Sequence, residues 1–314
     1  MRHYDCDLHT HTVRSDGNDS YAELIEAAAQ KGIKVLAITD HDMTPLYYIE
    51  TGQGTVSTVE YARSLGVALI LGIELSCETN IDDVHILGYG CDFNDPAFEA
   101  ERRVSDESKI NGYKELLERL TARGMPLSWQ EVLNDAEVPR KENEVQRKHI
   151  FELLAKKGYA PSWKDAKLMV IADPQLNVRR RKPDPDQAIK LIHDTGGIAV
   201  LAHPYLIGDT LKGGVDGGRD EYIDRLIACG LDGIEAAYPY EKTSYKGRES
   251  ALEIEHAVRK KYQTVLPIIS GGSDYHNEAK KGIDSPRLLG EKGVSLEYFR
   301  NNPLLRGLLA GGTN

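Results

Sequence analysis

Asp7-Leu8-His9-Thr10-His11 is a stretch whose residue types and spacing could do chemistry. In an extended strand alternate residues share a face, so Asp7, His9 and His11 point one way and Cys6, Leu8 and Thr10 the other. Two imidazoles placed like this can grip one cation from adjacent positions. Asp16 follows in a Ser-Asp-Gly turn, near enough to add a carboxylate. The same event then recurs along the chain, with polar residues at the end of an apolar run or within one. It happens at Thr39-Asp40-His41-Asp42, at Glu74, at His85, at His203-Pro204 and at Ser273-Asp274-Tyr275-His276. Burying so many ionisable groups together is costly unless they are paired or bind metal. Of the ten histidines, His9, His11, His41, His85, His203 and His276 lie in or at the end of an expected strand, whereas His3, His149, His193 and His256 lie elsewhere. With Asp16, Glu74 and Asp274 the six make nine candidate ligands. Nitrogen and oxygen donors without thiolate suit manganese, iron or zinc. Nine ligands exceed what one ion needs, so two or three divalent ions are expected. Such a site polarises phosphoryl oxygens and makes hydroxide available at neutral pH. Asp7 and Asp40 are expected to orient the imidazoles, with a general-acid role as a second use.

These residues need rigid elements to hold them. Short apolar, β-branched runs at 4–12, 35–39, 68–75, 83–90, 197–202, 233–237 and 265–270 read as strands covered on both faces. Helix patterns at 20–31, 56–65, 184–194, 221–229 and 245–261 lie between several of them. Ser20 stands three residues before Glu23, the spacing of a capping box. The alternation predicts an α/β fold with about seven strands, a possible barrel whose functional groups collect at the strand C-termini. One long interval breaks it. Residues 97–123, 129–137, 145–157 and 163–169 are charged and helix-prone. We therefore expect a metal-binding barrel of residues 1–92 and 184–314, and an inserted helical substrate-binding module of residues 93–183. The run Lys212–Gly218 reads as a surface loop.

The bulk numbers agree with a globular enzyme. The chain has 314 residues, 40% of them hydrophobic and 28% charged. Its net charge of −10 argues against a broad DNA- or RNA-binding face and leaves room for a local basic pocket. Cys6, Cys77, Cys91 and Cys229 form no C-x-x-C pair and read as free thiols of a reducing compartment. The opening MRHYDCDLHTH is polar and no apolar run is long enough to cross a bilayer, so a cytoplasmic location without membrane contact is expected.

The motifs DLHTHTVRSDG, AITDHD, GIELS, VHILGYG, VLAHP and GGSDYH, in this order, resemble the polymerase and histidinol phosphatase (PHP) superfamily. The resemblance covers residues 3–92 and 184–290. It implies a distorted seven-stranded (β/α)7 barrel with two or three bound metals. It places His9, His11, Glu74 and Asp274 at a first ion, and Asp16, His41 and His276 at a second. Glu74 would bridge to a third ion held by His85 and His203. Glu74, His203, Asp274 and Asp40 are then the candidate catalytic residues. Many relatives have His where Asp16 stands, which points to the stand-alone phosphoesterase branch. That branch carries a Gly-Arg-Pro-His segment in its insertion; Gln146-Arg147-Lys148-His149-Ile150 keeps the Arg and the His. Arg147, Lys148 and His149, together with Arg179, Arg180 and Arg181, are the candidate phosphate contacts. The expected reaction is hydrolysis of a nucleotide phosphate ester by a metal-activated hydroxide, for example of the 3′-phosphate of a 3′,5′-bisphosphate. A 5′–3′ exoribonuclease acting on short RNA ends, and a metallohydrolase acting on a cyclic phosphodiester or an amide, are the alternatives.

Overall fold

Seven apolar runs become seven strands of one sheet. They are β1 (Cys6–Asp7), β2 (Val35–Ile38), β3 (Ala68–Ser76), β4 (His85–Tyr89), β5 (Ile198–Leu201), β6 (Gly233–Ala237) and β7 (Ile268–Gly271), and their order in the sheet follows the chain. The computed structural model describes residues 3–52, 54–77, 84–136, 138–176, 178, 181–208 and 218–310. The sheet closes on itself where the Leu8 N–H donates to Gly271 O (3.3 Å) and the His11 N–H to Tyr275 O (2.9 Å). Cys6, Leu8, Val35, Ala37, Ile70, Leu87, Tyr89, Val200, Ala202 and Ile268 come from six strands and their ends and pack into one buried cluster. Val294, Phe299 and Leu305 join it. Helices α1 (Tyr21–Gln30), α2 (Thr58–Ser64), α7 (Pro185–Asp194), α8 (Arg219–Ala228) and α9 (Ala251–Tyr262) bury apolar stripes against the outer faces of the strands. Ser20 and Glu23 form the capping box of α1.

One strand is reversed. β4 runs antiparallel to both β3 and β5, while every other neighbouring pair is parallel. Only a short stretch of chain joins Ser76 to His85, and a parallel return needs a crossover of about a dozen residues or more. The consequence is positional. Parallel strands deliver their C-terminal residues to one mouth of the barrel, and reversed β4 delivers its first residue there. In register, His85 sits opposite Ser76.

The strand expected over 4–12 is cut to two residues. Beyond Asp7, side-chain hydroxyls join the neighbouring segments. Thr10 Oγ1 donates to Ala37 O (2.6 Å), and Thr39 Oγ1 donates to Thr10 O (3.2 Å). A hairpin of Tyr48–Thr51 against Gly54–Ser57 takes up the first two residues of the helix expected at 56–65. Two further helices, α10 (Leu296–Asn301) and α11 (Pro303–Ala310), were not expected.

By compactness the chain divides into Met1–Phe98 with Pro183–Asn314, and Glu99–Lys182. The first boundary falls inside α3 (Pro96–Ala122). The second unit contains most of α3, with α4 (Trp129–Asn134), α5 (Arg147–Lys156) and α6 (Trp163–Ala172). It has its own apolar core, which includes Leu116, Leu120, Val132, Ile150, Phe151, Leu154, Ala166 and Val170.

Candidate metal centre

Glu74 lies near the end of β3 and is almost wholly buried. Its Oε2 stands 3.1 Å from His9 Nε2, from His11 Nε2 and from His41 Nδ1. Its Oε1 stands 2.8 Å from His85 Nδ1 and 3.0 Å from His203 Nε2. Five imidazoles from four strand ends thus converge on the two oxygens of one carboxylate. The sixth, His276, stacks on His11 with ring centroids 4.3 Å apart, and His11 stacks on His41 at 4.6 Å. Asp274 Oδ1 lies 3.1 Å from His11 Nε2 and 3.7 Å from His9 Nε2. Asp16, the most exposed member, lies 2.9 Å from His276 Nε2.

The mouth is built from unusual backbone. The described non-glycine residues with left-handed φ are Asp42 (53°), His203 (30°), Asp274 (50°) and Asn277 (46°), and all follow barrel strands at this end. Such conformations cost free energy and gather where function holds them. Two glycines allow close approach. A Cβ on Gly272 would lie 2.6 Å from the His9 backbone nitrogen, and one on Gly17 would lie 2.5 Å from His11 O.

The donor set fits divalent cations. His9 Nε2 and His11 Nε2 face each other at 3.1 Å. Two nitrogens held at about 2.0–2.1 Å by one ion, at angles between square and tetrahedral, stand roughly 2.9–3.4 Å apart. Three groups bring their donor atoms close enough to hold an ion: His9, His11 and Glu74; His11, Asp16, His41 and His276; and His41, Glu74 and His85. The electrostatics agree. Burial penalises the charge on Glu74, yet the surrounding histidines hold its carboxyl well below the usual range. Asp274 is likewise buried and likewise held low, by His276, His9 and Arg287 among others. Burial pushes His9 and His11 down, but their carboxylates outweigh it, raising His9 far above its ordinary value and His11 to about 10. Burial, reinforced by His11 and His85, depresses His41 to about 4 against the pull of Glu74. Imidazoles pushed in opposite directions around shared carboxylates suit ligands for cations better than a set of protonated histidines.

The structure brings the nine expected ligands to one mouth. Asp7 and Asp40 do otherwise, and their expected role is corrected. Asp7 accepts from Ser273 N (2.8 Å), Ser273 Oγ (2.6 Å) and Gly290 N (2.9 Å). Asp40 accepts from Thr12 N, Thr12 Oγ1 and Ser15 Oγ, each at 2.7 Å. None of these hydrogen bonds goes to an imidazole; the two carboxylates pin the turns that carry the candidate ligands. Outside the nine, Glu235 on β6 is a fully buried carboxylate that does reach one of these rings; its two oxygens each lie 3.4 Å from His9 Nδ1. Its Oε2 also accepts from the His203 N–H (2.8 Å). Sequence reasoning passed over it, although one acid inside the apolar run of β6 was the signal. Tyr238 and Arg287, which contact Asp274, were missed too.

The candidate phosphate contacts lie in the second unit. Arg147 and Lys148 open α5; Lys148 Nζ pairs with Glu152 (3.1 Å), and His149 Nδ1 accepts from the Gln146 N–H (3.1 Å). Arg181 donates its backbone N–H to Ser108 Oγ. Arg179 and Arg180, Asp83 at the expected start of β4, and residues 212–217 of the glycine-rich run lie outside the described residues. No helix among the described residues is long and apolar enough to cross a membrane.

Comparison with known proteins accords with this geometry. The chain is 29% identical, over 87% of its length and 94% of the relative's, to phosphoribosyl 1,2-cyclic phosphate 1,2-diphosphodiesterase of Eggerthella lenta. It is 28% identical to the 3′,5′-nucleoside bisphosphate phosphatase of Chromobacterium violaceum, over 88% of this chain and 89% of the relative. A solved structure from Bifidobacterium adolescentis, assigned as a metal-dependent phosphoesterase, superposes with a TM-score of 0.68 at 25% identity, over 99% of this chain and 97% of that one. The family model described as the PHP domain matches residues 7–194. The chain therefore belongs to the PHP domain family.

Proposed function

We propose that this protein is a metal-dependent phosphoesterase that hydrolyses a phosphate ester on a ribose-containing nucleotide. The observation that carries the reading is Glu74, whose two oxygens face different sets of imidazoles. This supports Glu74 as a shared ligand. His9, His11 and Asp274 would complete one ion's set, Asp16, His41 and His276 a second, and His85 and His203 a third. Manganese, iron and zinc all suit these donors. Divalent cations here would polarise the phosphoryl oxygens and lower the pKa of water at the scissile phosphate. The chain's own residues position the donors: Glu235 aims His9, Asp40 pins the Thr12–Ser15 turn, and Asp7 pins Ser273 beside Asp274. Recognition of the phosphate by the helical insertion, through Arg147, Lys148 and His149 with Arg179 and Arg180, is part of the same proposal.

The two named relatives support a ribose substrate with two phosphate groups, since both names describe one. A nucleoside 3′,5′-bisphosphate is our first choice. A cyclic ribose phosphodiester is the second, favoured by the match that spans 94% of the diphosphodiesterase. The test is to load the protein with manganese and offer four substrates separately: a nucleoside 3′,5′-bisphosphate, a mononucleotide, phosphoribosyl 1,2-cyclic phosphate and a short 5′-phosphorylated RNA. Product analysis should show phosphate or ring-opened ester from one of the doubly phosphorylated riboses. No turnover of any of the four by protein shown to hold metal would overturn the reading.

A further inference from the structure

Past β7 the chain carries an arginine outside the nine-ligand set. Arg287 is mostly buried, and its Nη1 contacts Asp274 Oδ2. Its Nε (3.1 Å) and Nη2 (2.7 Å) both donate to Glu278 Oε1, and its backbone N–H donates to Glu278 Oε2 (2.9 Å). The Tyr238 hydroxyl donates to the same Asp274 Oδ2 at 2.7 Å. The other oxygen, Oδ1, faces the histidines: His11 Nε2 at 3.1 Å, His276 Nδ1 at 3.4 Å and His9 Nε2 at 3.7 Å. The two oxygens of Asp274 are therefore unequal. A carboxylate grips a cation through one oxygen or through both, and the second mode needs Oδ2 free. Here one charged and one neutral donor occupy it.

We propose that Arg287, anchored by Glu278 and seconded by Tyr238, is a positioning residue that makes Asp274 a one-oxygen ligand with Oδ1 aimed at the His9–His11 pair. The inference rests on the metal reading above. A phosphate clamp is the competing role for an arginine at such a mouth. Against it, Nη1, Nη2 and Nε each already contact a carboxylate, so three of the five guanidinium N–H groups are committed to Asp274 and Glu278 before a phosphate arrives. The sequence offered no sign of this partner, because Asp274 and Arg287 meet only through the turn that Glu278 closes.

The experiment compares wild-type protein with Arg287→Met, Arg287→Lys, Tyr238→Phe and Glu278→Gln. Manganese affinity is measured by isothermal titration, and kcat and KM for p-nitrophenyl phosphate are measured at saturating manganese. Arg287→Met should weaken the tightest manganese site by about 10–100-fold, the range found when a ligand's outer partner is lost. Arg287→Lys should recover part of that affinity. Tyr238→Phe and Glu278→Gln should shift it in the same direction by less, and KM should stay near the wild-type value throughout. Unchanged manganese affinity with a raised KM would overturn the proposal in favour of a phosphate clamp. Should Arg287→Met fail to fold by circular dichroism, Glu278→Gln decides, since it loosens the guanidinium without touching the imidazoles. Wild-type protein that binds no manganese, iron or zinc overturns the metal reading itself, a result separate from any difference among the variants.

Discussion

At the residue scale the centre depends on how carboxylates are shared out. Glu74 takes five imidazoles, Glu235 takes one imidazole and a backbone N–H, and Asp7 and Asp40 take turns of backbone. We expect Glu74→Gln to remove bound metal and turnover together, measured by metal analysis and phosphate release. Glu235→Gln should lower metal affinity about 10–100-fold while leaving the bound stoichiometry intact, as seen by competition with a chelating dye. Proton linkage follows from His11, which its carboxylates hold up to about 10. A cation must displace that proton, so apparent affinity should rise with pH through the neutral range and level off near pH 10. Titration in buffers of different ionisation enthalpy should show proton release, and its absence at pH 7 would contradict the protonated imidazole. Burial pushes the Cys6 and Cys91 thiols up to about 12, whereas Cys229 is exposed. Iodoacetamide at pH 8 should therefore modify Cys229 alone in the native protein, as read by mass spectrometry. Eight of the nine candidate ligand positions were legible because each is an ionisable residue in or at the end of an apolar run, and Asp16 because its turn follows the first of them closely. Glu235 was overlooked in the middle of such a run, and Arg287 stood near none.

At the scale of elements the strands were the legible part. Val35–Ile38, Gly233–Ala237 and Ile268–Gly271 are apolar throughout or nearly so because both faces are covered, and this composition survives without knowledge of the partners. The direction of β4 did not show in its residues. It follows from the short link behind it, which rules out a crossover, and it explains why His85 opens its strand while the other candidate ligands lie near or beyond the C-terminal ends of theirs. The hairpin Tyr48–Ser57 was misread in part because its second strand runs directly into α2, and Ser57 serves as both strand end and helix cap. The capping box of α1 was legible, since it is local. Ser20→Ala should cost about 1 kcal/mol in denaturant titration. Its partner Glu23 is held down to about 2 by the Ser20 backbone and Lys280. A depressed acid contributes stability above its ordinary value of 4.5 that is lost as pH falls toward about 2. The Glu23→Gln variant and the parent should therefore differ in stability at pH 6 and converge at pH 2.

At the scale of the molecule, two compact units have separate apolar cores. Leu154→Ala, in the core of the helical unit, should destabilise by about 2–5 kcal/mol in thermal or denaturant unfolding. Metal content at Glu74 should not change, because none of the nine candidate ligands belongs to that unit. Loss of metal in a folded Leu154→Ala protein would show that the cores are energetically joined. The sequence by itself determined the strand composition, the donor types and the order in which they arrive, because apolar runs, turn residues and caps act over a few neighbours. The tertiary structure alone decided which oxygen of Glu74 meets which imidazole, that Asp7 and Asp40 brace turns, and that Glu235 reaches His9 and Arg287 reaches Asp274. Those pairings join residues separated by long stretches of chain, and only closure of the barrel brings them within hydrogen-bond distance.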